Sequence, residues 1–280
     1  MTGLSYLENV QHDMVEAGFF PDKKYSQNFL IDEASVQQLV DSAKLTAKDH
    51  VLEIGGGTGL VTKAIADTGA KVTSIEIRPE LAELLRNKFA KEKNITIIEA
   101  DFLAVDMSKI PFTKIVASPP YAISDDIMFA LFQHEFKHAS IIWQLEFAEK
   151  ILSIPGSSEY HPLSVIAQTW YDGNLVRKIS PRAFYPIPNH FSAILSLDKK
   201  SNQKPVKNFV VFLAWLRTLF RFKNKTLWNA IKQLEKNPVK GIDVQACQKA
   251  AEELDMLDEK VFLLEPEDFV ELFDEFYSER

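Results

Sequence analysis

The feature that most restricts the fold is a regular alternation of short apolar runs and amphipathic segments between His50 and Ser118. "HVLEI" at His50–Ile54 is an apolar run that meets a glycine cluster. "LVTKAIADTG" at Leu60–Gly69 has helical spacing and stops at a glycine. "KVTSIEI" at Lys71–Ile77 reads as a strand, and "PELAELLRNKFAKE" at Pro79–Glu92 as a helix with proline at its start. "NITIIEA" and "KIVAS" read as further strands. Strands and helices alternating over short loops imply a parallel sheet covered by helices. Open sheets of this kind bind ligands outside the carboxyl ends of their strands. The residues just after each apolar run are therefore the first candidates for function.

"LEIGGGTG" places Glu53, Gly55, Gly57 and Gly59 on alternate positions after the first strand. Glycines there let the backbone bend tightly and approach a ligand. The helix N-terminus that follows favours an anionic or polar group. The dinucleotide fingerprint G-x-G-x-x-G needs a third glycine where this chain has Leu60. An acid before the first glycine suits S-adenosylmethionine instead, which has no pyrophosphate to cradle. Glu76, at the end of the second strand, stands at the separation at which an acid meets ribose hydroxyls. Asp101 follows the third strand and can accept from an adenine amine, with Phe102 bordering the ring.

At the end of the fourth strand comes "SPPY", Ser118–Tyr121. Residues before proline avoid the helical region, so Ser118 and Pro119 should both stay extended. The two prolines have carbonyls but no N–H. Tyr121 adds a flat ring. Acceptors beside a ring face make a receptacle for a planar group carrying an NH2. Such an amine is a poor nucleophile, because its lone pair is delocalised. Two acceptors on its protons aim that lone pair at an electrophilic methyl group, and positioning does the rest.

The 280 residues include 46% hydrophobic and 25% charged, the composition of an ordinary globular protein. One cysteine, Cys247, excludes a disulfide framework within the chain and a cysteine-built metal site; we expect no metal. The opening stretch lacks a basic start followed by an apolar run, and the longest apolar run, "FVVFLAWL" at Phe209–Leu216, is too short to span a bilayer. We expect a cytoplasmic protein without membrane contact. Net charge is -7, but Ser201–Lys240 carries +8 and Gly241–Arg280 carries -10. The basic block is either a solvated face or a phosphate-facing helix. Past a polar linker at "LDKKSNQKP" the pattern is helical only, about Val206–Phe220, Lys225–Glu235, Val244–Glu253 and Glu267–Tyr277.

Taken in order, these motifs resemble the small-subunit ribosomal RNA adenine dimethyltransferases of the KsgA type, relatives of the erythromycin-resistance methyltransferases. "KKYSQNFLID" is similar to the family's opening motif, "VLEIGGGTGLVT" to its cofactor loop, "IEIRPEL" to its ribose-binding segment and "IEADFL" to its adenine-binding segment. "PRAFYPIPNHFSAILSL" resembles its F-x-P-x-P motif, and "FLAWLRTLFRFKNKTLWNAIK" its basic helix pair. The resemblance implies a Rossmann-like α/β methyltransferase sheet over residues 23–198, an N-terminal helical extension over 1–22 and a small all-helical domain over 199–280. It implies S-adenosylmethionine bound by Gln27, Asn28, Leu30, Gly55, Gly57, Glu76, Ile77, Asp101, Phe102 and Ser118. It implies a catalytic set of Ser118, Pro119, Tyr121 and Phe184, with Tyr121 and Phe184 flanking the target adenine. RNA phosphates would meet Arg217, Arg221, Lys223 and Lys225. The expected activity is methylation of the amines of adjacent adenines in small-subunit ribosomal RNA during ribosome biogenesis, by a monomer acting on that RNA or a pre-ribosomal subunit. Where the family carries N-L-P-Y or N-I-P-Y, this chain has S-P-P-Y, which also resembles the corner of some DNA amino-methyltransferases. An assembly or RNA-binding factor with weak or no catalysis, and an amino-methyltransferase on another nucleic acid, therefore stay open at this point.

Overall fold

The computed structural model describes residues 5–21, 28–201 and 205–278. The expected strands and helices form a seven-stranded, mostly parallel sheet. The first three parallel strands are β2 (His50–Ile54), β3 (Lys71–Glu76) and β4 (Ile95–Glu99), following a two-residue β1 (Phe29–Leu30) that belongs to a separate small sheet. Then come β5 (Lys114–Ala117), β6 (His138–Gln144), β7 (Tyr171–Ile179), β8 (Phe184–Tyr185) and β9 (Ser192–Lys199). The order across the large sheet is β4-β3-β2-β5-β6-β9-β7. β2 pairs in parallel with both β3 and β5, and β5 with β6, while β9 runs antiparallel to β6.

That order fixes where a ligand can sit. From β2 the chain builds outward through β3 and β4, then returns to β2's other side with β5. The turns after β2 and β5 leave in different directions, opening a crevice between them at the carboxyl ends. Both strands are almost wholly buried, which is why they read as continuous apolar runs and not as alternating ones.

The helices start where the sequence supplies caps. α1 (Tyr6–Glu16) opens with a reciprocal capping box between Ser5 and Glu8. Asp32 caps α2 (Glu33–Ser42), accepting from the Ser35 N–H at 2.8 Å. α3 (Leu60–Asp67) follows the glycine loop, and α4 (Pro79–Lys88) has proline in its first turn. α2 and α3 pack Val36, Leu39, Val40, Val61 and Ile65 against Val51, Val72, Val116 and Ile142 of the sheet. α1 packs Val10 and Met14 on Leu81 and Leu84 of α4, and Asp13 meets Lys88 at 2.7 Å. The expected N-terminal extension is thus a helix, and its described part is built into the unit that carries the sheet.

The chain divides into two compact units, and the division is not the single cut expected after residue 198. One unit is Met1–Ala148 with Gly173–Lys199; the other is Glu149–Asp172 with Lys200–Arg280. The reason lies in side chains of the middle segment. After α5 (Ser124–Leu131) and α6 (Leu145–Ile151), Tyr160 is fully buried, edge-on to Phe220 at 5.5 Å, and donates to the Leu264 carbonyl at 3.2 Å. Trp170, at the end of α7 (Pro162–Trp170), lies 5.7 Å from Phe209 and 5.9 Å from Phe212. Those partners sit on α8 (Phe209–Phe220), which with α9 (Leu227–Ile231), α10 (Val244–Glu253) and α11 (Pro266–Phe276) makes the helical unit. The acidic final stretch supplies α10 and α11, whose apolar faces are buried through Cys247, Ala250, Phe269, Leu272 and Phe273. Burial pushes the Cys247 thiol up to about 12, so this cysteine is packing and not a nucleophile. Among the described residues, no helix is long and apolar enough to cross a membrane.

Candidate active site

A cleft of about 500 Å³ opens where the topology requires it, at the carboxyl ends of β2, β3, β4 and β5. Its wall contains Asn28, Leu30, Gly55, Gly57, Glu76, Ile77, Asp101, Phe102, Ser118, Pro119 and Tyr121. The residues expected from distant stretches of sequence are therefore gathered on one surface. Gln27 lies outside the described residues.

The floor is the glycine turn after β2. Gly55 has φ 76°, a conformation that side chains disfavour. A Cβ there would stand 3.7 Å from Pro120 Cδ and 3.8 Å from Pro119 Cα. Those are ordinary contact distances, so glycine is required here by the backbone conformation, which turns the first loop directly against the proline corner.

Glu76 closes β3 and is buried, with 4% of its surface exposed. The Gly57 N–H donates to its Oε2 at 2.9 Å, and the Arg78 N–H to its Oε1 at 2.9 Å. Burial pushes its carboxyl above the ordinary range, and those backbone bonds oppose the push. Both oxygens are held by backbone N–H groups, with the Ile77 N–H a third donor, and the carboxylate keeps acceptor capacity for a hydroxyl. A vicinal diol is the group that uses two parallel acceptors. Asp101 is exposed after β4, and its Oδ1 caps the next turn by accepting from Leu103 N–H at 3.0 Å. Its second oxygen is available to an amine. Ile77 and Leu103 are 56% and 43% exposed, yet both line the cleft, which accounts for two apolar side chains facing water. With Phe102 they form an apolar slot beside an acceptor, suited to an adenine ring. A diol clamp, an adenine slot and a glycine floor fit S-adenosylmethionine.

Across the crevice stands the proline corner. Ser118 is half-buried after β5, Pro120 is extended, and Tyr121 starts a short 3-10 turn leading into α5. The Tyr121 hydroxyl lies 2.8 Å from Ser192 Oγ on β9, and Ser192 is fully buried. Burial raises the phenol well above its ordinary value, so Tyr121 stays neutral and presents a ring, not a base. The sequence pointed to Tyr121 but gave no sign of Ser192; the bond joins residues 71 apart in the chain.

Two expectations need correcting. Phe184 does not stand in the cleft wall. Its ring is fully buried in the core with Leu30, Val116 and Ile194, and β8 pairs with β1 so that Leu30 faces Phe184. No face of that ring is open to a base, so here Phe184 supports the wall from behind. Lys223 is likewise not simply a solvated cation. Its ammonium donates to the carbonyls of Ser158 and Tyr160, tying a loop of the helical unit. Arg217, Arg221 and Lys225 are exposed on that unit. One cluster of possible metal ligands exists among the described residues, His12, Asp13 and Glu16 on α1, and the Lys88 ion pair accounts for Asp13.

One buried acid lies behind the cleft. Glu53 on β2 is 1% exposed and accepts from Thr62 Oγ1 at 2.6 Å. Burial raises its carboxyl to about 7, against 4.5 for an exposed glutamate. Because the folded value exceeds the unfolded one, the folded state binds more protons in that window. Stability from this group is full below pH 4.5 and is lost as pH rises toward 7. Replacing Glu53 with Gln should remove that slope. Relative to wild type, the variant should gain roughly 3 kcal/mol between pH 4.5 and 8. Urea unfolding midpoints across that range check this, and parallel profiles for the two proteins would contradict it.

Comparison with known proteins decides the family. The model of the ribosomal RNA adenine dimethylase family matches residues 20–274. The chain belongs to that family. It is 37% identical over 207 residues to a probable ribosomal RNA small subunit methyltransferase A of Methanococcoides burtonii, covering 74% of this chain and 76% of that one. Its fold is similar to a dimethyladenosine transferase from Plasmodium falciparum, with TM-score 0.73 and 27% identity over 87% of this chain and 95% of that one. It is also similar to the 23S rRNA methyltransferase ErmE, with TM-score 0.63 and 27% identity over 89% and 99% of the two chains. Both likenesses extend over the Rossmann-like sheet and the helical region together.

Proposed function

We propose that this protein transfers methyl groups from S-adenosylmethionine to the exocyclic amines of adjacent adenines in small-subunit ribosomal RNA during ribosome biogenesis, in the cytoplasm and as a monomer. The observation that carries the reading is the meeting, in one cleft, of the Glu76 diol clamp with the Ser118–Tyr121 corner. Family membership and the substrate in the relatives' names support ribosomal RNA as the target.

When bound, S-adenosylmethionine supplies an electrophilic methyl group on a sulfonium. The chain's own residues hold and orient. Glu76 and Asp101 accept from hydroxyls and an amine of that cofactor, while Ile77 and Phe102 border its ring. Ser118 Oγ and the Pro119 carbonyl accept the two protons of the target amine, turning its lone pair toward the methyl group. The Tyr121 ring supports the base, as aromatic side chains support bases drawn out of a stack. No strong base is needed, because the proton is lost from an acidic ammonium-like nitrogen after transfer. Serine in place of the family's asparagine keeps an acceptor at that corner on a shorter arm. Arg217, Arg221 and Lys225 add contacts to RNA phosphates.

The test uses unmethylated small ribosomal subunits, purified protein and S-adenosylmethionine, with nucleosides of the product identified by mass spectrometry. Dimethyladenosine is the expected product. Methylated DNA with unmodified ribosomal RNA would move the target to another nucleic acid. Cofactor binding with no methylated base in either would leave an RNA-binding assembly factor.

A further inference from the structure

The segment "PRAFYPIPNHFS" contains two phenylalanines, and the structure treats them oppositely. Phe184 is fully buried, whereas Phe191 is 46% exposed. A scattered exposed apolar side chain is ordinary on a protein surface. Three observations set Phe191 apart. Its backbone is anchored, because its carbonyl accepts from the Leu145 N–H at 3.0 Å, at the carboxyl end of β6. Its ring carries a cation, with Lys178 Nζ 4.4 Å from the centroid. Its chain neighbour is Ser192, whose Oγ lies 2.8 Å from the Tyr121 hydroxyl. Adjacent Cα atoms are about 3.8 Å apart, so Phe191 is placed by the same strand start that holds Tyr121.

The chemistry of such a pair is specific. A phenyl ring with water on its open surface gives up that contact readily to another flat ring. The ammonium over it is exposed and stays available to an anion. One unit of single-stranded RNA offers both partners, a base with two π faces and a phosphate next to it. A protein partner would find little apolar surface in this segment, with Phe191 separated from the exposed Ile187 by Pro188 and by the exposed polar residues Asn189 and His190. The anchoring matters too, because a ring on a pinned backbone loses little freedom when a base stacks on it.

Resting on the reading of the cleft as an RNA adenine site, we propose that Phe191 and Lys178 form a second nucleotide station. Phe191 stacks on the base neighbouring the target adenine, and Lys178 meets a phosphate beside it. When two adjacent adenines are modified in turn, this station holds the neighbour while the other occupies the Tyr121 corner. Phe191 is then a specificity-determining contact and takes no part in the transfer itself.

The test is equilibrium binding of unmethylated small-subunit RNA, which does not depend on turnover, run beside the methylation assay. Phe191→Ala should weaken RNA binding about tenfold, Phe191→Trp should restore it, and Lys178→Ala should lower the salt slope by about one. S-adenosylmethionine affinity should stay within twofold of wild type in all three, which also shows that the variants fold. In methylation, Phe191→Ala should raise KM for RNA far more than it lowers kcat. RNA binding within twofold of wild type for Phe191→Ala overturns the station, whatever the enzyme does. Weakened binding in that variant with no methylation by wild type overturns the enzyme reading and leaves the station standing.

Discussion

Tyr121→Ala should lower turnover on small-subunit RNA by about 10²–10³-fold while leaving S-adenosylmethionine affinity within a few-fold of wild type. The ring lies at the end of the corner proposed to receive the amine, and its hydroxyl is held by Ser192 at 2.8 Å. Loss of base stacking removes about 1–3 kcal/mol. Loss of alignment adds to this, because a displacement of about 1 Å in a positioned reaction costs on the order of 10²-fold. The phenol is neutral, since burial raises it. No acid–base role is lost, so Tyr121→Phe should retain most activity. The phenyl ring keeps its face, and the bond to Ser192 fixes only its tilt. Tyr121 also packs against the core around Phe184, so the Ala variant should lose about 3 kcal/mol of stability. Assays are best run well below its melting point, with unfolding curves alongside. Retention of more than a third of wild-type turnover by Tyr121→Ala would remove the ring from the mechanism.

The part of the site that could be read in the sequence is the part built from strand ends. Gly55, Glu76, Asp101 and Ser118 each follow an apolar run, and a parallel sheet aligns the ends of such runs. Local pattern was sufficient there because each residue's place depends on its own strand. Phe184 shows where that stops. Its burial depends on β8 meeting β1, a pairing of Leu30 with a residue far along the chain, and neither two-residue strand has a period to detect. The Tyr121–Ser192 bond has the same character. Its serine looks like any other inward residue of β9 until the fold brings the phenol to it.

The domain boundary failed for a related reason. A polar linker near Lys199 is a sound signal that the chain leaves one unit, and the chain does so there. It had already left once, at Ala148, and returned at Gly173. Nothing in "PGSSEYHPLSV" marks that excursion, because its cause is the pocket that Phe220 and Leu264 offer to Tyr160. Lys223 belongs to the same group. Its charge was legible, but its carbonyl partners Ser158 and Tyr160 come from the excursion.

Glu76→Ala should raise the dissociation constant for S-adenosylmethionine by at least about 10²-fold, whereas Asp101→Ala should raise it about tenfold. Both acids were expected to hold the cofactor, and the structure places them in unequal surroundings. Glu76 is buried, and both of its oxygens are already oriented by backbone N–H groups, those of Gly57 and Arg78 each at 2.9 Å. Hydrogen bonds to a charged group contribute about 1.5–3 kcal/mol each, so two ribose hydroxyls account for about 3–6 kcal/mol. The Ala variant also strands the Gly57 and Arg78 N–H groups, which loosens the glycine loop beneath the cofactor. Asp101 is exposed, and one oxygen is committed to the Leu103 N–H, leaving a single solvent-screened bond to lose. Glu76→Gln should fall between the two, because its amide keeps one acceptor and turns a donor toward a backbone N–H. Because burial raises Glu76 and ionisation strengthens its acceptance of hydroxyls, cofactor affinity should weaken as pH falls toward the raised value. Calorimetric titration of the three variants and of wild type across pH 5–8 checks the ranking. Equal losses for Glu76→Ala and Asp101→Ala would mean that the buried pair of oxygens is not the ribose clamp.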